Sequence, residues 1–225
     1  MQPITIFPET VFTLGPVRVT DTVVKTWVVM AAIILLGALA TRRLSVRPTR
    51  LQELLEAAYA AIEGTVREIL PVESRHVVPV LGTLWVFIGF ANLAGLVPGM
   101  TSPTADLNTT FALALVSYAM THVVGISSQG LRRYLAHYAE PTWVLLPFHL
   151  IAELTRTVAL AVRLFGNMLS GDMIAVIVLG IAGLLVPVPF GLLHVVIGLI
   201  QAYIFGMLTL VFIAGGIGTD PEQGA

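Results

Sequence analysis

Cysteine is absent from this 225-residue chain, which excludes disulfides and thiolate chemistry. Charge is nearly as scarce: charged residues are 11% of the chain, against roughly 25% in a soluble domain. Hydrophobic residues reach 56% and the mean hydropathy is +0.90, so most of the surface cannot face water. The chain therefore reads as an integral membrane protein. Short alternating segments are also missing, which argues against a barrel, because the apolar runs continue for roughly 18 residues or more. Only helices satisfy their own backbone groups in lipid over such lengths. Basic clusters interleaved with aromatics are lacking, so no nucleic-acid partner is expected. No Gly-x4-Gly-Lys-Ser/Thr phosphate loop occurs, so ATP chemistry is not expected of this chain, nor is a metal or cofactor. The first twenty residues have no basic n-region, and Pro3, Pro8, Gly15 and Pro16 interrupt any helix there. An irregular or hairpin-like segment is expected over 1–22, on the outer membrane surface.

What is present is five apolar windows, roughly Val23–Ala40, Val77–Val97, Thr109–Ile126, Trp143–Val186 and Phe190–Ile217. They predict an all-α fold of about five spans within a single membrane domain, 23–225. Between the first two windows, Leu51, Leu54, Leu55, Ala58, Ile62, Val66, Ile69 and Leu70 recur at helical spacing among Glu53, Glu56, Glu63, Arg67 and Glu68. This is an amphipathic helix over about 51–70, lying on the membrane surface or docked against the rest of the protein. Arg42, Arg43, Arg47, Arg50, Arg67 and Arg75 fall in that same connection, and Arg132 and Arg133 follow the third window. The connections at 98–108 and 187–189 carry no Lys or Arg. The positive-inside rule then places the N-terminus outside, and the amphipathic helix and C-terminus in the cytoplasm.

The fourth window is too long for one perpendicular crossing. Some 44 residues rise about 65 Å, roughly twice the hydrocarbon thickness. Pro187 and Pro189 should end it, and a tight turn would return the fifth window as a long, tilted antiparallel hairpin over about 143–217. Most of the intramembrane polar groups fall in this hairpin: Glu153, Arg156, Arg163, Asn167, Asp172, His194 and Gln201. An arginine at mid-membrane costs at least roughly 2.5–3.5 kcal/mol and usually marks an ion path or an aqueous cavity. The plain alternative is that Arg163 pairs with Asp172 or Glu153 as internal glue. Against it, Arg163 and Asp172 are nine residues apart, about 180° away from each other on a helical wheel.

Helical phase groups Ala152, Arg156, Ala159, Arg163, Asn167 and Ser170 on one stripe. Apart from its arginines the stripe is small and polar, which allows another helix to approach closely. In the expected orientation, His149 and Glu153 lie on the cytoplasmic side of Arg163. Asp172 and His194 lie on the outer side, and Gln201 sits at about the depth of Arg163. Two polar clusters flanking one fixed cation can hydrate two half-depth pathways while the arginine blocks a leak. Plainer readings stand beside these: His194 as an interfacial residue, His149 snorkelling at a helix start and His122 in packing. Asn92 and Asn108 read as turn and capping groups, and Asp106 as a cap of the third span, with Asn108 and Thr109 as competing candidates.

The run Ala159-Leu160-Ala161-Val162-Arg163-Leu164-Phe165-Gly166-Asn167-Met168 resembles the signature of subunit a of F-type ATP synthases. His194 with Gln201, in His-x6-Gln-Ala-Tyr-Ile-Phe, is similar to that family's last helix. The segments Asn92–Gly99 and Pro103–Thr110 resemble it as well, and the likeness runs from about Leu14 onward. The resemblance implies a stator ion channel facing a rotating ring of c subunits. It also implies peripheral-stalk b subunits and the remaining synthase as partners, in an energy-transducing membrane such as the bacterial inner membrane. It implies that Arg163 is the essential arginine that holds a ring carboxylate ionised. Asn167 and Gln201 match polar residues near it, and Asp172 with His194 matches the outer half-channel groups, Asp standing where many relatives have Glu. Many relatives carry a glutamate where this chain has His149. Glu153 resembles an acidic position found in other branches, so the cytoplasmic exit is assigned to Glu153, with His149 as a helper, and Arg156 receives no role. Proton versus sodium choice would rest largely on the ring. The rival expectations are a secondary transporter binding an anion at Arg163, which predicts inverted repeats and paired broken helices, and a pure scaffold.

Overall fold

The computed structural model describes residues 10–14, 17–42, 49–72, 74–97, 100–134, 146–182 and 187–217. It opens with a small antiparallel hairpin, β1 (Thr10–Leu14) and β2 (Val17–Thr20), in register at Phe12↔Val19 with a bulge between Thr10 and Phe12. This is the hairpin form expected of the N-terminal segment. Five helices are long and apolar enough to cross a membrane. They are α1 (Asp21–Thr41), α3 (Ser74–Ala94), α4 (Leu107–Gln129), α5 (Leu146–Ala182) and α6 (Pro187–Ile217). The all-α membrane fold expected from composition is the one observed.

The amphipathic segment forms α2 (Arg50–Ile69), and its ends follow local chemistry. Thr49 caps it, its hydroxyl accepting from the Gln52 N–H at 3.5 Å, and Glu63 pairs with Arg67 at 2.7 Å one turn apart. The choice between surface and docked helix divides along its length. Val66, and Leu70 just past its end, are fully buried, whereas Leu54, Leu55 and Tyr59 in the first half are exposed.

Contacts group the chain into two compact units, and the division falls inside helices. The first comprises Met1–Arg43, Phe87–Thr110 and Arg163–Gln201; the second comprises Leu44–Val86, Phe111–Val162 and Ala202–Ala225. In the second unit, Val66 and Leu70 pack with Val77, Leu81, Val124, Leu210 and Ile213 in one apolar core. Lipid is as apolar as this core, so among the spans the gain comes from close packing rather than escape from water. Gly206 shows this. The indole of Trp85 lies against its backbone, donating its N–H to the Tyr203 carbonyl at 3.1 Å, and an added Cβ would meet Nε1 at 1.9 Å. Gly206→Ala should displace the ring and cost about 1–3 kcal/mol. The measurement is the thermal midpoint of the purified protein in detergent, and an unchanged midpoint would refute the packing argument.

In the first unit, a 3-10 turn at Pro103–Ala105 leads into α4. Asp106 caps that helix as expected, its Oδ1 accepting from the Asn108 N–H at 2.8 Å. In the first unit the two arms run antiparallel, Asn167 meeting Gln201 and Asp172 meeting His194; in the second, Arg156 lies over Phe212. Pro187 and Pro189 stand in the first turn of the returning helix, where a missing N–H and a fixed φ suit the position. The expected turn, 183–186, and the expected start of the hairpin, 143–145, lie outside the described residues.

Candidate functional site

Two polar clusters form, one in each unit. In the first unit α5 shows a clear phase. Leu164 and Met168 are buried, while Arg163, Gly166, Asn167 and Ser170 are exposed. The same phase holds in the second unit, where Leu160 and Ala161 are buried and Ala152, Arg156 and Ala159 are exposed. The small and polar stripe predicted from spacing is exposed, as are Leu154, Val158 and Val162 beside it. Among the described residues Arg163 makes no ion pair, and the two acids considered as its partners each lie beside a histidine instead. The internal-glue alternative finds no support in this geometry.

Asp172 and His194 come together as predicted, Oδ1 to Nε2 at 3.8 Å, too long for a hydrogen bond and close enough for a charge contact. His194 Nε2 is buried without a hydrogen-bond partner among the described residues. The ring can lie there because Gly171 has no side chain; a Cβ at that position would sit 1.8 Å from His194 Nδ1. Asn167 donates to Gln201 Oε1 at 2.7 Å, and Gln201 is 2% exposed, its Nε2 without a hydrogen-bond partner among the described residues. Lys25, near the start of α1, pairs with Asp21 at 2.5 Å and donates to Thr101 at 2.8 Å.

A second network in this unit holds helices together. Asn92 donates to the Gly198 carbonyl at 2.7 Å and accepts from Thr104 at 2.5 Å, and Ser102 joins Thr104 at 2.6 Å. Asn92 was expected to cap or turn; it instead ties α3 to α6 and to the turn before α4. A single sequence does not give the mutual rotation of helices, so only the polarity of Asn92 was visible beforehand. Asn92→Ala should cost about 1 kcal/mol, nearer the membrane average than the aqueous maximum, because the freed groups find other partners. Urea or thermal unfolding in detergent measures it, and a loss above about 3 kcal/mol would mean the network is far more rigid than argued.

In the second unit, His149, Glu153 and Arg156 line one cavity of about 170 Å³ with Ser117, Tyr118 and Phe212. Arg156 stands 5.8 Å from the Phe212 ring centroid, a cation–π contact that occupies this second arginine locally. Glu153 Oε1 lies 3.6 Å from His122 Nδ1. His122 was expected to serve packing, and it does: its ring is 4.2 Å from Tyr118 and 5.8 Å from Tyr134. Its approach to an acid was not foreseen, because nothing in the spacing of α4 points toward α5.

Among the described residues Arg163 has no ion pair, and each unit holds one acid–histidine contact. Residues 23–214 match the family described as ATP synthase A chain. The chain belongs to that family. An ATP synthase subunit a 2 from Pelobacter propionicus is 52% identical over 209 residues, covering 93% of this chain and 92% of the relative. A subunit a 1 from Hahella chejuensis is 47% identical over 210 residues, covering 93% and 89%. A subunit a from Legionella pneumophila (strain Corby) is 46% identical over 207 residues, covering 92% and 90%. Membership makes the chain an integral membrane subunit of an ATP synthase complex. The Arg163–Asn167 motif, Asp172, His194 and Gln201 all fall within the matched residues.

Proposed function

We propose that the chain is the ion-conducting stator of the synthase, with two half-channels that load and unload the carboxylates of a rotating c ring. The observation that carries this reading is Arg163, exposed on a small-residue face of α5 and without an ion pair among the described residues. A fixed cation left open on such a face suits a carboxylate delivered by another subunit. Guanidinium keeps its proton, so Arg163 acts by charge and not as a relay. Asn167 and Gln201 brace the helices at that level. Asp172 and His194 serve the outer half-channel, and Glu153 serves the cytoplasmic one with His149 at its mouth. The N-terminal segment 1–22 lies outside, the C-terminus lies in the cytoplasm, and peripheral-stalk b subunits hold the stator in a bacterial inner membrane. The membrane potential supplies about 2.3 kcal/mol per charge per 100 mV, so several ions combine for each ATP.

The test is ion-driven ATP synthesis by the reconstituted complex carrying wild type or Arg163→Ala. Coupled synthesis that survives the substitution sinks the proposal.

A further inference from the structure

We propose that His122 is the proton acceptor of Glu153, making the cavity of the second unit a carboxylate–imidazole relay that carries protons rather than metal cations. The inference rests on the reading of Glu153 as the exit and adds a residue on α4 and the identity of the ion.

Geometry selects His122 among the groups at hand. From α5 the cavity is faced by His149, Glu153 and Arg156; from α4 by Ser117 and Tyr118; from α6 by Phe212, Gly215 and Gly216, none of which titrates. Arg156 cannot release a proton near neutral pH, and a tyrosine with an ordinary pKa of about 10 does not give one up there either. An imidazole with an ordinary pKa of about 6.5 both accepts and releases protons in that range. His149 is exposed at the start of α5, whereas His122 lies against the acid itself. Its ring is oriented from two sides, tilted by 42° over Tyr118 and edge-on at 66° to Tyr134, and Nδ1 is also 3.1 Å from the Tyr118 carbonyl. The side chains are sheltered but not sealed, at 16% exposure for Glu153 and 29% for His122.

The 3.6 Å separation is slightly beyond hydrogen-bond range, and a small ring rotation or one bridging water closes it. In the tautomer that carries its proton on Nε2, His122 presents a lone pair at Nδ1. There the O–H bond of protonated Glu153 breaks as an N–H bond forms, and the Tyr118 carbonyl 3.1 Å away accepts from the new N–H. The imidazolium then releases its Nε2 proton to water. Glu153 is left as a carboxylate ready for the next proton, and exchange of the ring proton between nitrogens restores the acceptor. An imidazole lone pair takes a proton in this way, whereas a hard alkali cation needs a shell of oxygens.

The experiment uses the assembled complex in vesicles stripped of its ATP-hydrolysing sector, with passive proton flux followed by an internal pH dye. His122→Gln keeps the size and hydrogen bonding of the side chain and removes its titration. It should lower flux by on the order of a hundredfold and flatten its pH profile between about 5 and 8. His122→Ala should be comparably slow and should recover part of its flux in millimolar imidazole, whereas His122→Gln should not. Co-purification of the c ring checks that each variant assembles. Wild-type flux in His122→Gln, or no imidazole rescue of an assembled His122→Ala, overturns the relay, as does flux carried by sodium. Glu153→Gln separates the two levels. If it blocks flux while His122→Gln does not, only the relay fails; if Glu153→Gln conducts normally, the exit reading fails with it.

Discussion

Arg163→Ala is expected to abolish ATP synthesis while raising the passive ion leak through the membrane sector. The two effects have one cause. At about 4 Å and an effective dielectric constant near 20, a guanidinium and a carboxylate attract by about 4 kcal/mol. That is roughly a thousandfold in the ratio of ionised to neutral carboxylate. With the charge present, the acid gives up its ion on approach and cannot carry it past the arginine. With alanine, the neutral acid passes in either direction and the gradient runs down without torque. Arg163→Lys is not expected to restore function, because an ammonium is a point charge that can lose its proton in a dry site. Synthesis driven by an imposed pH and potential step, measured beside passive flux, reads both effects. Loss of synthesis without increased leak would mean that Arg163 supports assembly rather than separating two pathways.

Gly171→Ala should be nearly as severe in the outer half-channel, although it adds one methyl group. The new carbon would stand 1.8 Å from His194 Nδ1, so the ring must move by well over an ångström. The 3.8 Å contact with Asp172 cannot survive such a displacement unchanged. A fall of about 10²-fold in flux is expected, the low end of what a positioned acid–base group contributes. A double-mutant cycle checks the route of the effect. If Gly171 acts through His194, then Gly171→Ala should add little to a chain already carrying His194→Ala. Additive losses would place the damage elsewhere, for example in the α5 backbone.

The five spans were legible because each is an apolar run with polar ends, and α2 because its leucines recur at helical spacing. The open stripe through Arg163 was legible for the same reason, since phase along one helix is a property of sequence alone. Contacts across helices were less so. Asp172 with His194 and Asn167 with Gln201 were expected on opposite arms of one hairpin, whose short turn fixes the pairing. Glu153 with His122 was not, because α4 and α5 are joined through a long connection that sets no register. The dependence on Gly171 was invisible too: a glycine in a helix carries no mark of which neighbour needs its missing side chain.

The two prolines at the head of α6 have a consequence for where that end can reside. A helix start exposes four backbone N–H groups without intrahelical partners, and in hydrocarbon each must be met by a side chain or by water. Pro187 and Pro189 have no N–H to satisfy, so about half of that demand disappears with no capping residue. The segment Leu184-Leu185-Val186-Pro187-Val188-Pro189-Phe190 accordingly contains no Ser, Thr, Asp or Asn. The head of α6 can therefore lie in hydrocarbon with about half the usual number of backbone donors to satisfy.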